Sequence, residues 1–238
     1  MTRALLLLAA ALVLTGGARA AGGRVVVIDP GHDARANLAT EPIGPGSTTR
    51  KIKDGGGTHG VVTGIREPEL TLDVSLRLRR LLRAAGVRVV MTRTSTSGPS
   101  MGNVARARIA NASGAALFLR VHADGASSAS ARGTHTLTPA LRRGWTHDVY
   151  RSSRRAATLV QAELVRALGF PSRGIQERSD FTGFNWADVP VILVEMGFMT
   201  NPSEDRALAR AAVRGRAALG LCRGTLRFLS LPPANCRF

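Results

Sequence analysis

Short runs of apolar, mostly β-branched residues alternate along the chain with stretches whose apolar residues recur at helical spacing. The run at residues 189–194 is almost wholly apolar, which is typical of a strand buried on both faces of a sheet. Similar runs lie at 24–28, 87–91 and 116–121. Strands that alternate with helices predict an α/β fold. We therefore expect a single α/β domain, with a mostly parallel, twisted sheet flanked by helices on both faces.

Helical patterns fill most of the intervals between these strands. The first covers residues 68–86, with a proline in its first turn and a glycine at its end. Further patterns cover 101–112 and 154–168, and a single last helix is predicted to begin at Asn201, where a glutamate follows three positions later. Residues 133–138 predict an additional strand at the edge of the sheet.

Residues 1–20 have the organisation of a removable signal peptide. Arg3 precedes an apolar run at residues 4–15, and Ala18-Arg19-Ala20 matches a cleavage pattern. The run is shorter than the ~20 residues that span a bilayer, and no cysteine follows it to carry a lipid. The alternative is a buried N-terminal helix. We expect residues 21–238 to form an exported monomer, in the periplasm or the cell wall, without a membrane anchor.

The net charge is strongly positive. The chain has 33 Lys and Arg residues against 16 Asp and Glu residues, a formal net charge of +17, and removal of residues 1–20 leaves 31 against 16, or +15. Phe, Tyr and Trp total only ten residues, whereas proteins that bind single-stranded nucleic acid combine charge with stacking aromatic side chains. A secreted nucleic-acid-binding protein is therefore the weaker alternative, and we expect no nucleic-acid partner.

The two cysteines, Cys222 and Cys236, both lie near the C-terminus. In an oxidising compartment they can form a disulfide that ties down the tail at residues 229–238. Two free thiols are the alternative that the sequence leaves open.

Four polar residues stand at the boundaries of predicted elements. His32 follows the first strand, Glu67 precedes the first helix, and His122 and Glu195 end two later strands. Groups just beyond the carboxyl ends of parallel strands meet in one crevice. Two histidines and one carboxylate with an open fourth position form a catalytic zinc site, and a second carboxylate can act as general base on water.

These residues stand in motifs that resemble a known family, the zinc-dependent N-acetylmuramoyl-L-alanine amidases, and within it the type 3 catalytic domain of bacterial cell-wall hydrolases. The motifs are Asp29-Pro30-Gly31-His32, Glu67 opening a Leu-rich helix, His122-Ala123-Asp124, and Leu193 to Phe198 followed by Asn201-Pro202. The resemblance implies hydrolysis of the amide between the lactyl group of N-acetylmuramic acid and L-alanine in peptidoglycan or a muropeptide. It also implies one Zn²⁺ held by His32, Glu67 and His122, with Glu195 as the catalytic carboxylate.

Two other functions on the same fold stay open. One is a non-catalytic protein that binds zinc or peptidoglycan, and the other is a zinc peptidase that cleaves a different wall amide. Because the wall is rich in carboxylates and phosphate polymers, we also expect the basic surface to bind anionic wall polymers in a salt-sensitive way.

Further polar residues near the motifs invite specific predictions. Arg120 replaces a small polar residue of the family and shares a strand face with His122, so it either binds a substrate carboxylate or points to solvent. Asp124 is predicted to orient His122 or a neighbouring group. The remaining histidines have no such setting, and we expect them to be surface or structural residues: His59, His135 and His147.

The segment at residues 33–66 is longer than the family norm and rich in Gly, Thr and Pro. A connection of this length is a candidate functional loop. It contains Lys51, Lys53 and three consecutive glycines, and we expect a mobile flap beside the metal that controls substrate access. Asp33 replaces the family's usual glycine after the first histidine, and Asp tolerates a left-handed backbone better than most residues.

Overall fold

A computed structural model describes residues 24–237. The signal peptide predicted at residues 1–20 lies outside the described residues. The strands, in chain order, are β1 (Val25–Pro30), β2 (Asn37–Pro42), β3 (Arg50–Asp54), β4 (Arg88–Met91), β5 (Leu117–Asp124), β6 (Thr134–Pro139), β7 (Ser172–Arg178) and β8 (Val191–Phe198). The helices are α1 (Glu67–Ala84), α2 (Asn103–Ala112), α3 (Tyr150–Leu168), α4 (Thr182–Asn185), α5 (Pro202–Leu208) and α6 (Ala211–Phe228).

Six strands form one sheet in the order β4-β1-β5-β8-β6-β7. All neighbours are parallel except β6 and β8, which are antiparallel. Hydrophobic clusters cover both faces of the sheet. Successive residues of β1 show this: Val26 belongs to the cluster that includes α1, α3 and α6, whereas Val27 belongs to the cluster that includes α2 and α4. The predicted α/β fold, with a mostly parallel sheet and helices on both faces, is confirmed.

The strand predicted at residues 133–138 forms as β6, but its predicted position at the sheet edge is wrong. β6 lies between β8 and β7, and β7 is the edge strand. The sequence of β7 is SRGIQER, which offers one large apolar residue and therefore no recognisable strand pattern. Because an edge strand is half solvated, such a polar sequence is tolerated there.

The last predicted helix divides into two. Asn201 caps α5, because its side chain accepts hydrogen bonds from the backbone N–H groups of Ser203 and Glu204. The chain becomes extended at Arg210, and α6 begins at the next residue. The side chain of Glu204 does not close a capping box; it accepts hydrogen bonds from the backbone of Gly133 and Phe198 instead, and so links α5 to the sheet.

The C-terminal segment is attached to α6 by a disulfide between Cys222 and Cys236, whose Cα atoms are 6.0 Å apart. Both cysteines are buried in the core that contains α6. Within residues 24–237, no helix combines the length and the apolar character that crossing a membrane requires.

Candidate metal centre and active site

The structure brings the four predicted polar residues together at the carboxyl ends of the central strands. His32 follows β1, and Glu67 is the first residue of α1. His122 and Glu195 lie within β5 and β8 and are register partners in this parallel pair, so the sequence placed both strand ends too early. The apolar runs end at these residues, but the backbone ladder continues past them.

Two histidines and Glu67 form a compact group of potential metal ligands. His32 Nε2 lies 3.4 Å from Glu67 Oε2, and His122 Nδ1 lies 3.0 Å from Glu67 Oε1. One donor atom from each residue falls within 4.8 Å of the others. His122 Nε2 and Glu195 Oε2 are buried without a hydrogen-bond partner among the described residues, which is costly in the absence of a cation. A mixed His and carboxylate donor set fits Zn²⁺.

Glycines at two positions allow this close approach. A Cβ atom on Gly31 would lie 2.5 Å from ring atoms of His122, so a side chain there would displace the imidazole. Gly57 has a φ of +75°, and a Cβ atom on it would lie 2.8 Å from Glu67 Oε2. His32 itself has a φ of 57°, the left-handed region that turns its side chain out of the direction of β1.

Asp54, at the end of β3, orients His32. His32 Nδ1–H donates to Asp54 Oδ1 at 2.6 Å, and the carboxylate also accepts from the backbone N–H groups of Asp33 and Gly56 at 2.8 and 2.9 Å. Burial opposes ionisation, but these hydrogen bonds lower the pKa of Asp54 to about 2. The ionised carboxylate fixes the proton on Nδ1 and leaves the lone pair on Nε2, which faces Glu67. The sequence analysis did not identify Asp54. The only feature that distinguishes this position in the sequence is that it precedes three consecutive glycines.

The two carboxyl groups of the site differ in their proton affinity. Burial raises the pKa of Glu67, but the hydrogen bond from His122 and the charge of His32 outweigh it, so the pKa is lowered. Burial also raises the pKa of Glu195, and the charges of Glu67 and Asp124 add to the effect, so it lies well above the usual range. Glu67 is thus a carboxylate and Glu195 a group that takes up a proton. Burial lowers the pKa of His122 and keeps its imidazole neutral.

Arg120 lies beneath the site and not in solvent, so the solvent-facing alternative is wrong. Its Nε donates to Asp29 at 2.8 Å, and its Nη2 donates to Asn103 at 2.7 Å. Its side chain is 5% exposed, yet it lines a cavity of about 430 Å³ together with His122 and Glu195. Whether the guanidinium binds substrate stays a prediction.

Asp124 faces His135 and not His122. Its Oδ2 lies 3.5 Å from His135 Nε2, and the carboxylate that contacts His122 is Glu67. His135 lies opposite Glu195 in the β6–β8 register and is buried, so it is not a surface residue. Burial and the charge of Arg173 lower its pKa to about 4. The other two histidines of this group are exposed: His59 and His147.

The segment at residues 33–66 contains the β2–β3 hairpin, which forms one wall of the cleft. Lys51 Nζ donates to Asp180 at 2.8 Å, and Trp186 Nε1 donates to the Pro42 carbonyl at 2.9 Å. A second cavity of about 530 Å³ is lined by Glu67, His122 and Glu195. Both cavities border the carboxyl group of Glu195, so a chain-like substrate can lie across it. Gating by this segment stays a prediction.

Fold and site together define a class of protein: a hydrolase with an α/β fold, whose cleft joins a His-Glu-His group to a carboxyl group with a buried oxygen. A family profile described as N-acetylmuramoyl-L-alanine amidase matches residues 26–226. The chain belongs to this family, which consists of enzymes that hydrolyse peptidoglycan of the bacterial cell wall, and the resemblance found in its motifs is confirmed.

Individual relatives agree with this assignment. An N-acetylmuramoyl-L-alanine amidase of Mycobacterium tuberculosis is 34% identical over 216 residues, covering 87% of this chain and 87% of that protein. A germination-specific N-acetylmuramoyl-L-alanine amidase of Bacillus subtilis is 26% identical over 220 residues, covering 87% of this chain and 81% of that protein. The crystal structure of an N-acetylmuramyl-L-alanine amidase from Mycobacterium smegmatis superposes with a TM-score of 0.80 at 29% identity, covering 87% and 97% of the two chains.

Proposed function

We propose that the protein hydrolyses the amide between the lactyl group of N-acetylmuramic acid and L-alanine in a zinc-dependent reaction. The observation that carries the proposal is the juxtaposition of the His32-Glu67-His122 group, whose donor atoms lie within 4.8 Å of one another, with a buried carboxyl oxygen of Glu195 that has no hydrogen-bond partner among residues 24–237. Family membership supplies the substrate, and this juxtaposition supports the mechanism.

His32, Glu67 and His122 would hold one Zn²⁺. When bound, Zn²⁺ polarises the scissile carbonyl and makes water a nucleophile near neutral pH. Asp54 keeps His32 in the tautomer that presents Nε2 to the metal position. The neutral imidazole of His122 is ready to ligate, because no proton has to leave it first.

Glu195 acts as general base and then as general acid. Its carboxylate accepts a proton from the attacking water as the new C–O bond forms at the lactyl carbonyl. It returns this proton to the amide nitrogen as the C–N bond breaks, so that L-alanine leaves with a neutral amine. A carboxyl group whose pKa is raised holds the proton between the two steps more readily than an exposed glutamate does.

Arg120 positions the stem peptide in the 430 Å³ cavity. Its hydrogen bonds to Asp29 and Asn103 use Nε and Nη2, and we assign the remaining Nη1 donors to a substrate carboxylate. The guanidinium is held rigidly by these bonds, so it fixes the distance between the bound carboxylate and Glu195. The charge of Asp124 helps to raise the pKa of Glu195.

We also propose where the enzyme works. Residues 1–20 would direct export and be removed, and the domain at residues 21–238 would act as a monomer in the periplasm or cell wall. Its net charge of +15 without residues 1–20 would hold it on anionic wall polymers through salt-sensitive attraction. The segment at residues 33–66 would control access of substrate to the cleft.

The test is hydrolysis of a purified muropeptide, with mass analysis of the fragments. The zinc-loaded protein should release glycan and an intact peptide that begins with L-alanine, and a chelator should stop the release. Glu195→Gln should lose at least a hundredfold in rate while it keeps its zinc, whereas Glu69→Gln, which alters an exposed carboxylate, should match the wild type. Absence of release points to the non-catalytic alternative, and cleavage between peptide residues points to the peptidase.

A further inference from the structure

A further cavity of about 530 Å³ lies against the β2–β3 hairpin, and one of its lining residues, Lys53, also borders a small cavity next to His32 and His122. Its lining comes from both strands of the hairpin, the start of α2 and Trp186. None of its lining residues belongs to the His-Glu-His group or to Glu195. The cavity is therefore a feature that the hydrolytic reaction does not explain.

The chemistry of the cavity is cationic and partly apolar. Arg50, Lys53 and Arg108 contribute three positive charges, and none of them forms an ion pair within residues 24–237. Glu41 is the one acidic lining residue, and its carboxylate accepts hydrogen bonds from the backbone N–H groups at the start of α2, at 2.7 and 3.2 Å. Its charge is thereby shared with the amino end of the helix, and it forms no ion pair with the cations among the described residues.

Hydrogen bonds hold two of the lining groups in place. Arg50 donates to Thr40 through Nε and Nη2 at 2.9 and 2.8 Å, and the Trp186 indole donates to the Pro42 carbonyl. The Arg108 guanidinium carbon lies 5.8 Å from the centre of the Trp186 ring. An aromatic ring beside two guanidinium groups suits a ligand that is both ring-shaped and anionic.

From this cavity we infer that the enzyme has a second binding site, which takes a phosphate-bearing sugar unit of an anionic wall polymer. The sugar ring packs on Trp186 and the phosphate lies between Arg50 and Arg108. The inference rests on the proposed function for the presence of such polymers, and it narrows the general attraction of a basic surface to one site. Bound there, the enzyme is held on the wall while the cleft that contains Glu195, which this cavity does not include, stays open to peptidoglycan.

The first experiment uses the two tryptophans of the chain as reporters. In a ¹H–¹⁵N NMR titration with N-acetylglucosamine 6-phosphate, the Trp186 indole resonance should shift in a saturable way. The Trp145 indole donates to the Pro45 carbonyl in the hairpin turn and does not line the cavity, so its resonance, assigned with Trp145→Phe, should stay constant. Neutral N-acetylglucosamine should bind at least about tenfold more weakly than the sugar phosphate, because it lacks the charge that the arginines recognise. Equal shifts with both sugars, or none with the phosphate, overturn the inference.

Two double variants with the same change in net charge distinguish binding at this cavity from non-specific attraction by the positive surface. R50Q/R108Q should bind the sugar phosphate about tenfold more weakly, as expected for two partly exposed charged contacts. R80Q/R151Q removes the same charge from exposed positions on α1 and α3 and should bind like the wild type. The single variant R108Q tests the site without altering the hairpin, because Arg108 makes no hydrogen bond within the described chain. Equal loss in both double variants refutes a specific site.

The second experiment identifies the source of the ligand and separates the two proposals. In co-sedimentation, the wild type and R80Q/R151Q should bind walls that carry phosphate polymers severalfold better than walls stripped of them, and R50Q/R108Q should not. Equal retention on stripped walls overturns the polymer assignment. Hydrolysis of a soluble muropeptide by the wild type, measured separately, tests the proposed function, and the indole shift does not depend on it.

Discussion

Replacement of Asp54 by asparagine isolates the role of the carboxylate that holds His32. All four groups around this carboxylate are hydrogen-bond donors. Oδ1 accepts from His32 Nδ1 at 2.6 Å and from Gly56 N at 2.9 Å, and Oδ2 accepts from Asp33 N at 2.8 Å and Ser100 Oγ at 3.3 Å. An asparagine has the same shape but only one oxygen, so its NH₂ group must face two of these donors.

Each orientation of the amide has a defined cost. If the NH₂ group faces His32, the imidazole must accept at Nδ1 and carry its proton on Nε2, which is then unable to ligate a metal. If the NH₂ group faces Asp33 instead, the buried backbone N–H of Asp33 loses its acceptor. Hydrogen-bond partners of metal-ligating histidines typically contribute ~10–100-fold in metal affinity, or about 1.4–2.7 kcal/mol. We expect Asp54→Asn to weaken zinc binding near the upper end of this range.

The assay is competition for Zn²⁺ against a chromophoric chelator of known affinity at pH 7.5. Ser100→Ala is the matched control, because it removes only the longest of the four hydrogen bonds, and it should change the dissociation constant by less than about fivefold, which corresponds to the ~1 kcal/mol of one hydrogen bond. An Asp54→Asn protein that binds zinc within twofold of the wild type, with an unchanged melting temperature, would refute the orienting role of Asp54.

Three further changes test other parts of the structure. Arg120→Lys keeps the charge beside Asp29 but loses the planar fork, so KM should rise about tenfold for stems with a free carboxylate and little for amidated stems; equal effects would contradict carboxylate binding. His135 has a folded-state pKa of about 4, below its ordinary ~6.5, so the unfolded chain binds more protons between these values. Stability of the chelated protein should therefore fall as pH falls through this window, by up to about 3 kcal/mol, and urea titrations of His135→Gln should lack this slope. Reduction of the Cys222–Cys236 disulfide should lower the free energy of unfolding by ~3 kcal/mol, measured as a shift in the urea midpoint; an unchanged midpoint would show that packing alone holds the tail.

The sequence predicted those parts of the fold that depend on local pattern. Buried parallel strands such as β8 have a continuous apolar run, and α1 and α3 show their apolar stripes, so these elements were found within a few residues. The edge strand β7 was missed because its SRGIQER sequence lacks both patterns. The break between α5 and α6 at Arg210 was missed because no glycine or proline stands near this position to indicate the end of a helix.

The candidate site divides in the same way. His32, Glu67, His122 and Glu195 were found because each adjoins a recognisable strand or helix boundary. Asp54 belongs to a hairpin whose strands carry no apolar alternation, so its pairing with His32, 22 positions away in the chain, was invisible in sequence. The position of His135 opposite Glu195 depends on an antiparallel register, which only the assembled sheet defines.

The opposite proton affinities of Glu67 and Glu195 follow from the same fold. Glu67 opens α1 and Glu195 lies within β8, and the two like charges oppose each other. Glu67 has two imidazoles beside it and stays ionised, whereas burial and the charges of Glu67 and Asp124 raise the pKa of Glu195 more than the charge of Arg120 lowers it, so Glu195 holds a proton more tightly. One carboxyl group is thereby kept as an anion, and the buried oxygen of the other has no hydrogen-bond partner among the described residues. The proposed mechanism requires this difference, because in it Glu67 would stay bound to the cation while Glu195 would take up and release a proton in every turnover.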